Sequence, residues 1–263
     1  MRNQRNVMVC LVFIILVSGG PYCLAQESSI ELIREIEELI QGQLAIRKDI
    51  RELKAILSEK VATAVSSEVN IKGIELYLGS NPIRGGSNSG VVMIDITDYQ
   101  CPYCGRYARE TYPEIIKQYV DNDKILYLVL DQPLSIHKMA AKAAEASHCA
   151  NEQGKYWEMH DIMMSKQGSL NNLSLLASSL NIDMGRFEEC LNANKYAEEV
   201  RKSGNQMTKM GITGVPGFII AESDSQDPKR AKGIGFIRGA QPFNNFKKEL
   251  DRALMTVQPT KGF

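Results

Sequence analysis

The sequence has no excess of charge of either sign. Across its 263 residues, 31 Lys and Arg balance 31 Asp and Glu. Nucleic-acid-binding proteins usually carry a basic surplus, so the charge balance predicts no nucleic-acid partner. The glycine-rich stretch at 85–90 lacks the Lys-Ser/Thr ending of a phosphate-binding loop and precedes a strand pattern instead of following one. A nucleotide-binding loop is therefore excluded there.

Histidine is scarce, and metal-ligand patterns are missing. The three histidines, His137, His148 and His160, show no paired spacing typical of metal ligands. The single Cys-x-x-Cys has no second copy, which a zinc ribbon would need. We therefore expect no metal and no other cofactor.

Long hydrophobic runs are also lacking. The longest unbroken apolar run, residues 7–17, has 11 residues, whereas a membrane-spanning helix needs about 20. Two arginines precede this run and small residues follow it, so residues 1–25 resemble a cleavable secretory signal. The alternatives are a retained membrane anchor and lipid attachment at Cys23, whose preceding residues fit that reading poorly. We expect a soluble periplasmic protein.

A seven-residue repeat runs through residues 29–60. Its spacing is typical of a coiled coil, which predicts a helical segment at 27–60 through which the chain forms a homo-oligomer. The pattern leaves open whether the coiled coil contains two or three helices. The alternative to a coiled coil is an amphipathic helix lying on its own globular domain. The two series of the repeat are Ser29, Ile36, Gln43, Ile50, Leu57 and Leu32, Leu39, Ile46, Leu53, Lys60.

The remaining apolar pattern predicts an α/β domain. A linker and first strand are expected over 61–89, and one domain over 90–255 with a helical insert at 136–210. The predicted order after the first strand is a buried strand at 91–96, a helix from 105, a strand at 124–130, the helical insert, strands at 217–221 and 233–237, and a closing helix at 243–254.

Cys101 and Cys104 are the residues that predict which reaction the protein carries out. Two cysteines at this spacing can close a disulfide and exchange it with a substrate through a mixed disulfide. Cys101 lies where the strand pattern ends and a helix begins, and the helix N-terminus stabilises a thiolate. Pro102 fits the first helical position, and Cys104 follows one turn later as the resolving thiol. The alternatives are a zinc site or a purely structural disulfide.

Residues 98–105, Asp-Tyr-Gln-Cys-Pro-Tyr-Cys-Gly, resemble the active-site stretch of the DsbA-type thiol–disulfide oxidoreductases. This family belongs to the thioredoxin superfamily and carries a helical domain inserted in the fold. Segments at 133–137, 152–161 and 211–216 match the family in the same order, so the resemblance covers about 90–254. It implies a thioredoxin-like α/β fold with an inserted helical domain, here preceded by a coiled-coil-like N-terminal helix.

The resemblance also implies roles for residues around the cysteine pair. It assigns Pro216 as a cis-proline facing the pair. The cis form of a peptide bond costs little free energy before proline. Val215 would then pair its backbone with an extended substrate, and Pro102 and Tyr103 would contact the same substrate. A plain turn proline is the alternative for Pro216.

Two further predictions concern Asp95 and a second cysteine pair. In the superfamily, a buried acid six residues before the first cysteine moves protons to and from the second one, and burial would raise its pKa. The alternative is an exposed or hydrogen-bonded acid at a strand end. Cys149 and Cys190 lie 41 residues apart in an exported chain, which favours a structural disulfide over two buried thiols.

The expected function is an exported enzyme that introduces or reshuffles disulfides in cysteine-containing secreted proteins. A membrane redox partner would reoxidise or reduce it. Tyr103 replaces the histidine of strongly oxidising members, and an oligomer would resemble the disulfide isomerases, so oxidase and isomerase or reductase remain open. A non-catalytic chaperone with the same fold is the non-enzymatic alternative.

Overall fold

A computed structural model describes residues 22–65, 69–79, 81–86, 90–224, 226–227 and 229–257. The chain divides into two compact units, Met1–Glu68 and Val69–Phe263. Residues 1–21 of the predicted signal segment lie outside the described residues. Within the described part of the chain, no helix is both long and apolar enough to cross a bilayer.

The first unit contains one long helix, α1, Tyr22–Val65, of 44 residues. It extends beyond the predicted segment 27–60 at both ends. The large apolar side chains described in this helix are all solvent-exposed, as expected for an amphipathic helix whose apolar stripe is not buried. Its coiled-coil character stays a prediction. These exposed side chains are Leu32, Ile33, Ile36, Leu39, Ile40, Leu44, Ile46, Ile50 and Leu53.

The second unit is built on a five-stranded mixed sheet with the order β1-β5-β4-β2-β3. β2 pairs parallel with β3, and the other neighbours pair antiparallel. All seven residues of β2 are buried, which explains its continuous apolar run. The strands are β1 Glu75–Tyr77, β2 Val91–Thr97, β3 Leu126–Asp131, β4 Gly217–Ser223 and β5 Arg230–Arg238.

The first strand occupies only three residues, Glu75–Tyr77, of the segment 61–89 in which the linker and first strand are expected. Gly73 has a φ of 81° and turns the chain just before β1. Ile71 is buried against Gly233 of β5, where an added Cβ would lie 2.2 Å from its side chain. The segment before β1 is held by this packing and by two backbone hydrogen bonds to β5, from the Gly73 N–H to the Gly233 carbonyl at 2.8 Å and from the Gly233 N–H to the Ile74 carbonyl at 2.9 Å.

The helices of the second unit fall into two groups. Helices α4–α8 lie between β3 and β4 and form the predicted helical insert, while α2, α3 and α9 belong to the sheet domain. The helix predicted from residue 105 begins earlier, at Pro102, and is interrupted before α3, where Pro113 lies in the first turn. The bounds are α2 Pro102–Glu110, α3 Tyr112–Ile115, α4 Ala140–Asn151, α5 Tyr156–Ser165, α6 Leu173–Ser178, α7 Met184–Asn192, α8 Ala197–Lys209 and α9 Phe243–Thr256, with a π turn at Ile116–Val120 and a 3-10 turn at Gln167–Ser169.

Three apolar clusters form the core. Tyr107 of α2 and Phe246 of α9 pack on Phe218 in one cluster, and Met207 of α8 belongs to a second cluster with alternate residues of β2. The third cluster fills the insert and includes Cys101 and Cys104. The cysteine pair thus lies at the junction of the sheet and the insert.

Cys149 of α4 and Cys190 of α7 form a disulfide with Cα atoms 5.8 Å apart. The bond joins two helices of the insert across a sequence separation of 41 residues. Both residues are buried, so the crosslink lies within the packed insert.

We expect the double variant C149A/C190A to lose about 4 kcal/mol of unfolding free energy, since a loop of this length would be released in the unfolded chain. Urea unfolding of wild type and variant, each with Cys101 and Cys104 kept reduced, measures the difference. Equal midpoints and slopes for the two proteins would contradict a stabilising role.

Candidate active site

Cys101 lies at the N-terminus of α2, directly after the turn that follows β2. Its backbone is extended, with φ −72° and ψ 122°, and Pro102 is the first residue of the helix. Proline fits there because the first helical N–H has no partner within the helix. The Cys101 carbonyl accepts a hydrogen bond from the Gly105 N–H at 3.1 Å. The local sequence therefore places the Cys101 sulfur beside the free N–H groups of a helix start.

The two sulfurs are close and differ in acidity. Cys101 is 4% exposed and Cys104 is 0% exposed. A hydrogen bond from the Cys104 thiol, with help from the backbone N–H groups of Cys104 and Tyr103, lowers the pKa of Cys101 to about 6, although burial and Asp98 oppose the shift. Burial and the interaction with Cys101 raise the pKa of Cys104 far above its usual range. Near neutral pH, Cys101 is thus the thiolate and Cys104 keeps its proton.

The loop before β4 lies against the cysteine pair. The Val215–Pro216 peptide bond is cis, and the Val215 carbonyl oxygen lies 3.8 Å from the Cys101 Sγ. A cleft of about 140 Å³ adjoins this loop and is lined in part by Thr213 and Phe236. The structure thus brings Val215 and Pro216 together with Cys101 at the end of the sheet where β2 ends and β4 begins.

Asp95 lies in the middle of β2 and is 1% exposed. Its Oδ2 accepts a hydrogen bond of 2.7 Å from the Tyr127 hydroxyl, while its Oδ1 has no partner among the described residues. Burial raises the pKa of Asp95 to about 7, and the Tyr127 hydrogen bond only partly offsets this. The Asp95 charge also raises the pKa of Cys104. A carboxyl that titrates near neutral pH therefore acts electrostatically on the buried thiol.

Asp98 holds the turn that carries Cys101, a role that sequence reasoning missed. Its Oδ1 accepts hydrogen bonds from the N–H groups of Gln100 at 2.7 Å and Cys101 at 3.1 Å. Its Oδ2 accepts from the Leu134 N–H and the His137 Nδ1, both at 2.8 Å. The residue stands inside the recognised motif, but no local pattern reveals that its partners lie beyond β3.

Gln167, in the 3-10 turn of the insert, is a second residue that sequence reasoning missed. Its Nε2 donates hydrogen bonds to the carbonyls of Tyr99 and Cys101, both at 2.9 Å. Gly105 leaves the necessary space, since an added Cβ would lie 2.1 Å from the Gln167 Oε1. The insert therefore clamps the strand-to-helix turn from outside the sheet domain.

Tyr103 stands at the surface beside the buried pair. Its side chain is 59% exposed, and the Arg106 guanidinium lies 5.3 Å from the ring centroid. Arg106 also donates a hydrogen bond of 3.1 Å to the Ala240 carbonyl. Tyr103 is thus available to a molecule that approaches Cys101.

The two remaining described cysteines and two of the histidines have partners other than Cys101 and Cys104. The disulfide of Cys149 and Cys190 belongs to the insert, and His148 pairs with Asp131 at 2.8 Å. His160 meets the Tyr99 hydroxyl at 3.1 Å. Within the described ranges, no group of three or more His, Cys, Asp or Glu side chains could hold a metal ion.

The sequence profile of the thioredoxin family matches residues 78–236. A candidate protein-disulfide oxidoreductase of Rickettsia felis is 24% identical over 250 residues, which cover 82% of this chain and 88% of that protein. The Na(+)/H(+) antiporter NhaA 3 of Salinispora tropica is 32% identical over 141 residues, or 52% of this chain, and the chain spans only 21% of the antiporter.

The crystal structure of alpha-DsbA1 from Wolbachia pipientis has a similar fold. It superimposes with a TM-score of 0.60 at 24% identity and covers 68% of this chain and 94% of its own. The predicted thioredoxin-like fold with a helical insert is therefore confirmed.

The buried charge of Asp95 predicts a pH-dependent effect on stability. Because its folded-state pKa is raised, from about 3.8 to about 7, ionisation costs nothing below pH 3.8 and costs the folded state about 4 kcal/mol above pH 7. Asp95→Asn retains an acceptor for Tyr127 and removes that cost. Its gain in unfolding free energy over wild type should therefore grow between pH 4 and pH 8, as measured by urea unfolding. A difference that is constant with pH would contradict the raised pKa.

Proposed function

Because the chain belongs to the thioredoxin family and shares the fold of alpha-DsbA1, with a helical insert, we propose that it is a protein thiol–disulfide oxidoreductase that works through Cys101 and Cys104. The observation that carries the proposal is the position of the buried Cys101 at the N-terminus of α2, one turn before the buried Cys104, where the pKa values of the two thiols shift in opposite directions. Disulfide exchange needs one thiolate to attack and one neighbouring thiol to resolve the mixed disulfide. The cysteine pair supplies both at neutral pH.

The exchange of the disulfide is reversible, and groups of this chain supply and accept the protons and electrons that it needs. The Cys101 thiolate attacks one sulfur of a substrate disulfide, forms a mixed disulfide and releases a substrate thiolate. Cys104 then loses its proton to Asp95 and attacks the Cys101 sulfur, which closes the pair and releases the second substrate thiolate. In reverse, a substrate dithiol takes the disulfide and leaves Cys101 and Cys104 reduced.

The substrates are cysteine-containing secreted proteins that bind in an extended form. The Val215 carbonyl is 3.8 Å from the Cys101 sulfur, so a peptide whose cysteine reaches Cys101 would run along the backbone of this loop. Pro216, Pro102 and the exposed Tyr103 would line the same path. A membrane redox partner would use this surface to reoxidise or reduce the pair.

Export to the periplasm is supported by the sequence of residues 1–25. A positively charged start, a short apolar run and small residues near position 25 are typical of a secretory signal. The Cys149–Cys190 disulfide fits the same compartment, because such bonds persist where the environment is oxidising. The organisation that follows is a signal at 1–25, a helical segment at 27–60, a linker and first strand at 61–89, and the catalytic domain at 90–255.

The direction of exchange depends on how strongly the reduced pair is stabilised. A lowered thiol pKa stabilises the reduced form and makes the disulfide more oxidising. The pKa of Cys101 is about 6, between about 7 in thioredoxin and about 3.5 in the strongest oxidants. This intermediate value leaves both directions open, and we propose oxidation of substrates as the main one because of the resemblance to the DsbA-type proteins and of Val215 before the cis-proline. A reduction potential near −120 mV would support this, and about −200 mV or lower would favour the isomerase or reductase alternative.

Replacement of the two cysteines should separate their roles. Cys101→Ala should abolish both refolding of scrambled ribonuclease and oxidation of a reduced peptide, because the attacking thiolate is gone. Cys104→Ala should instead accumulate a mixed disulfide with the substrate, visible on a non-reducing gel. C149A/C190A is the matched control and should keep the activity. If the folded wild type is inactive in both assays, a non-catalytic chaperone becomes the better account.

The exposed apolar stripe of α1 predicts a homo-oligomer of two or three chains. Deletion of residues 27–60 should reduce the mass measured by light scattering to that of a monomer. Leu39→Asp, in the heptad series and 70% exposed, should weaken association, because its charge would lie in the apolar seam. Lys48→Asp, outside the two series, is the matched control. A monomeric mature wild type would contradict the prediction.

A further inference from the structure

The Asp98 carboxylate joins two parts of the chain that lie 36 to 39 residues apart. Its side chain is 0% exposed and accepts four hydrogen bonds. Two come from the turn that carries Cys101, and two come from the segment that leads into the insert. A buried carboxylate with two donors on each oxygen has a fixed position.

This carboxylate also places a negative charge beside Cys101. The Asp98 Oδ1 accepts the N–H of Cys101 itself at 3.1 Å, and the Asp98 charge disfavours the Cys101 thiolate. The basic side chain that pairs with Asp98 is His137, whose Nδ1 lies 2.8 Å from Oδ2 and whose side chain is 16% exposed. Because a carboxylate only accepts, the His137 Nδ1 carries the hydrogen.

We propose that His137 and Asp98 form a positioning pair through which the start of the helical insert controls how readily Cys101 ionises. The inference rests on the proposed function, in which Cys101 is the reacting sulfur, and it assigns control of that sulfur's ionisation to a pair of residues outside α2. The His137 donor draws negative charge away from the Asp98 oxygen that faces the insert, so the carboxylate repels the Cys101 thiolate less. Loss of His137 leaves the repulsion uncompensated, and loss of the Asp98 charge removes it.

Two other ionisable side chains act on Cys101 directly, and the third neighbour is a backbone carbonyl. Cys104 faces it from α2 and Asp98 from the turn, while the loop before β4 contributes the Val215 backbone carbonyl. Asp131 and His148 form a second buried pair at 2.8 Å that joins β3 to α4. That pair has the same chemistry but lies outside the turn, so it provides a matched control.

The test is the rate of alkylation of Cys101 by iodoacetamide in the reduced full-length protein between pH 4.5 and pH 8. His137→Ala should slow alkylation at pH 5 by about tenfold, because a higher thiol pKa lowers the thiolate fraction. His137→Asn keeps a neutral donor near the Nδ1 position and should slow it by about threefold. Asp98→Asn should speed it by about threefold or more. His148→Asn should follow the wild-type profile.

Circular dichroism of each variant establishes that it is folded before its rate is compared. The inference is overturned if the folded His137 variants overlay the wild-type profile, or if His148→Asn shifts the profile as much as His137→Asn. The readout requires no turnover, so its result is separate from that of the proposed function. Inactive wild type with shifted variants would reject the enzyme and keep the positioning pair.

Discussion

A hydrogen bond between two buried sulfurs is the interaction on which the rest of the site depends. The Cys104 thiol donates to Cys101, so one sulfur holds a proton and the other holds a charge. The Cys101 thiolate depends on this donor, because a buried charge is costly to desolvate, whereas burial by itself keeps Cys104 protonated. The helix start adds backbone N–H groups, and Asp95 provides a nearby carboxyl that titrates close to neutral pH.

The helical insert has a structural task at this site besides covering the pair. Gln167 holds the carbonyls of Tyr99 and Cys101, and the Gln100 side chain accepts the Met139 N–H at 2.8 Å. Together with Asp98, these contacts fix the strand-to-helix turn from the insert side. Packing of the insert, reinforced by its disulfide, is thereby linked to the geometry of the reacting sulfur.

Features that depend on residues close together in the sequence could be predicted from it, whereas contacts between distant residues could not. The buried strand β2, the start of α2 and the heptads of α1 follow from local periodicity and capping, and the cysteine pair follows from its spacing. The partners of the Asp98 Oδ2 and of the Gln167 Nε2 lie 36 or more residues away, so no local pattern reveals them. Tyr127 likewise reaches Asp95 only because β2 and β3 pair in parallel. Gly73 shortened β1 through a backbone turn that its apolar neighbours concealed.

The ionisation of Cys101 at neutral pH, with Cys104 still protonated, can be followed through thiolate absorbance near 240 nm. In the reduced wild type, titrated from pH 3 to pH 10, we expect a single transition with a midpoint near pH 6, as the Cys101 environment requires. A midpoint near 8.5, the ordinary value for a free cysteine, or the loss of two protons together would contradict it.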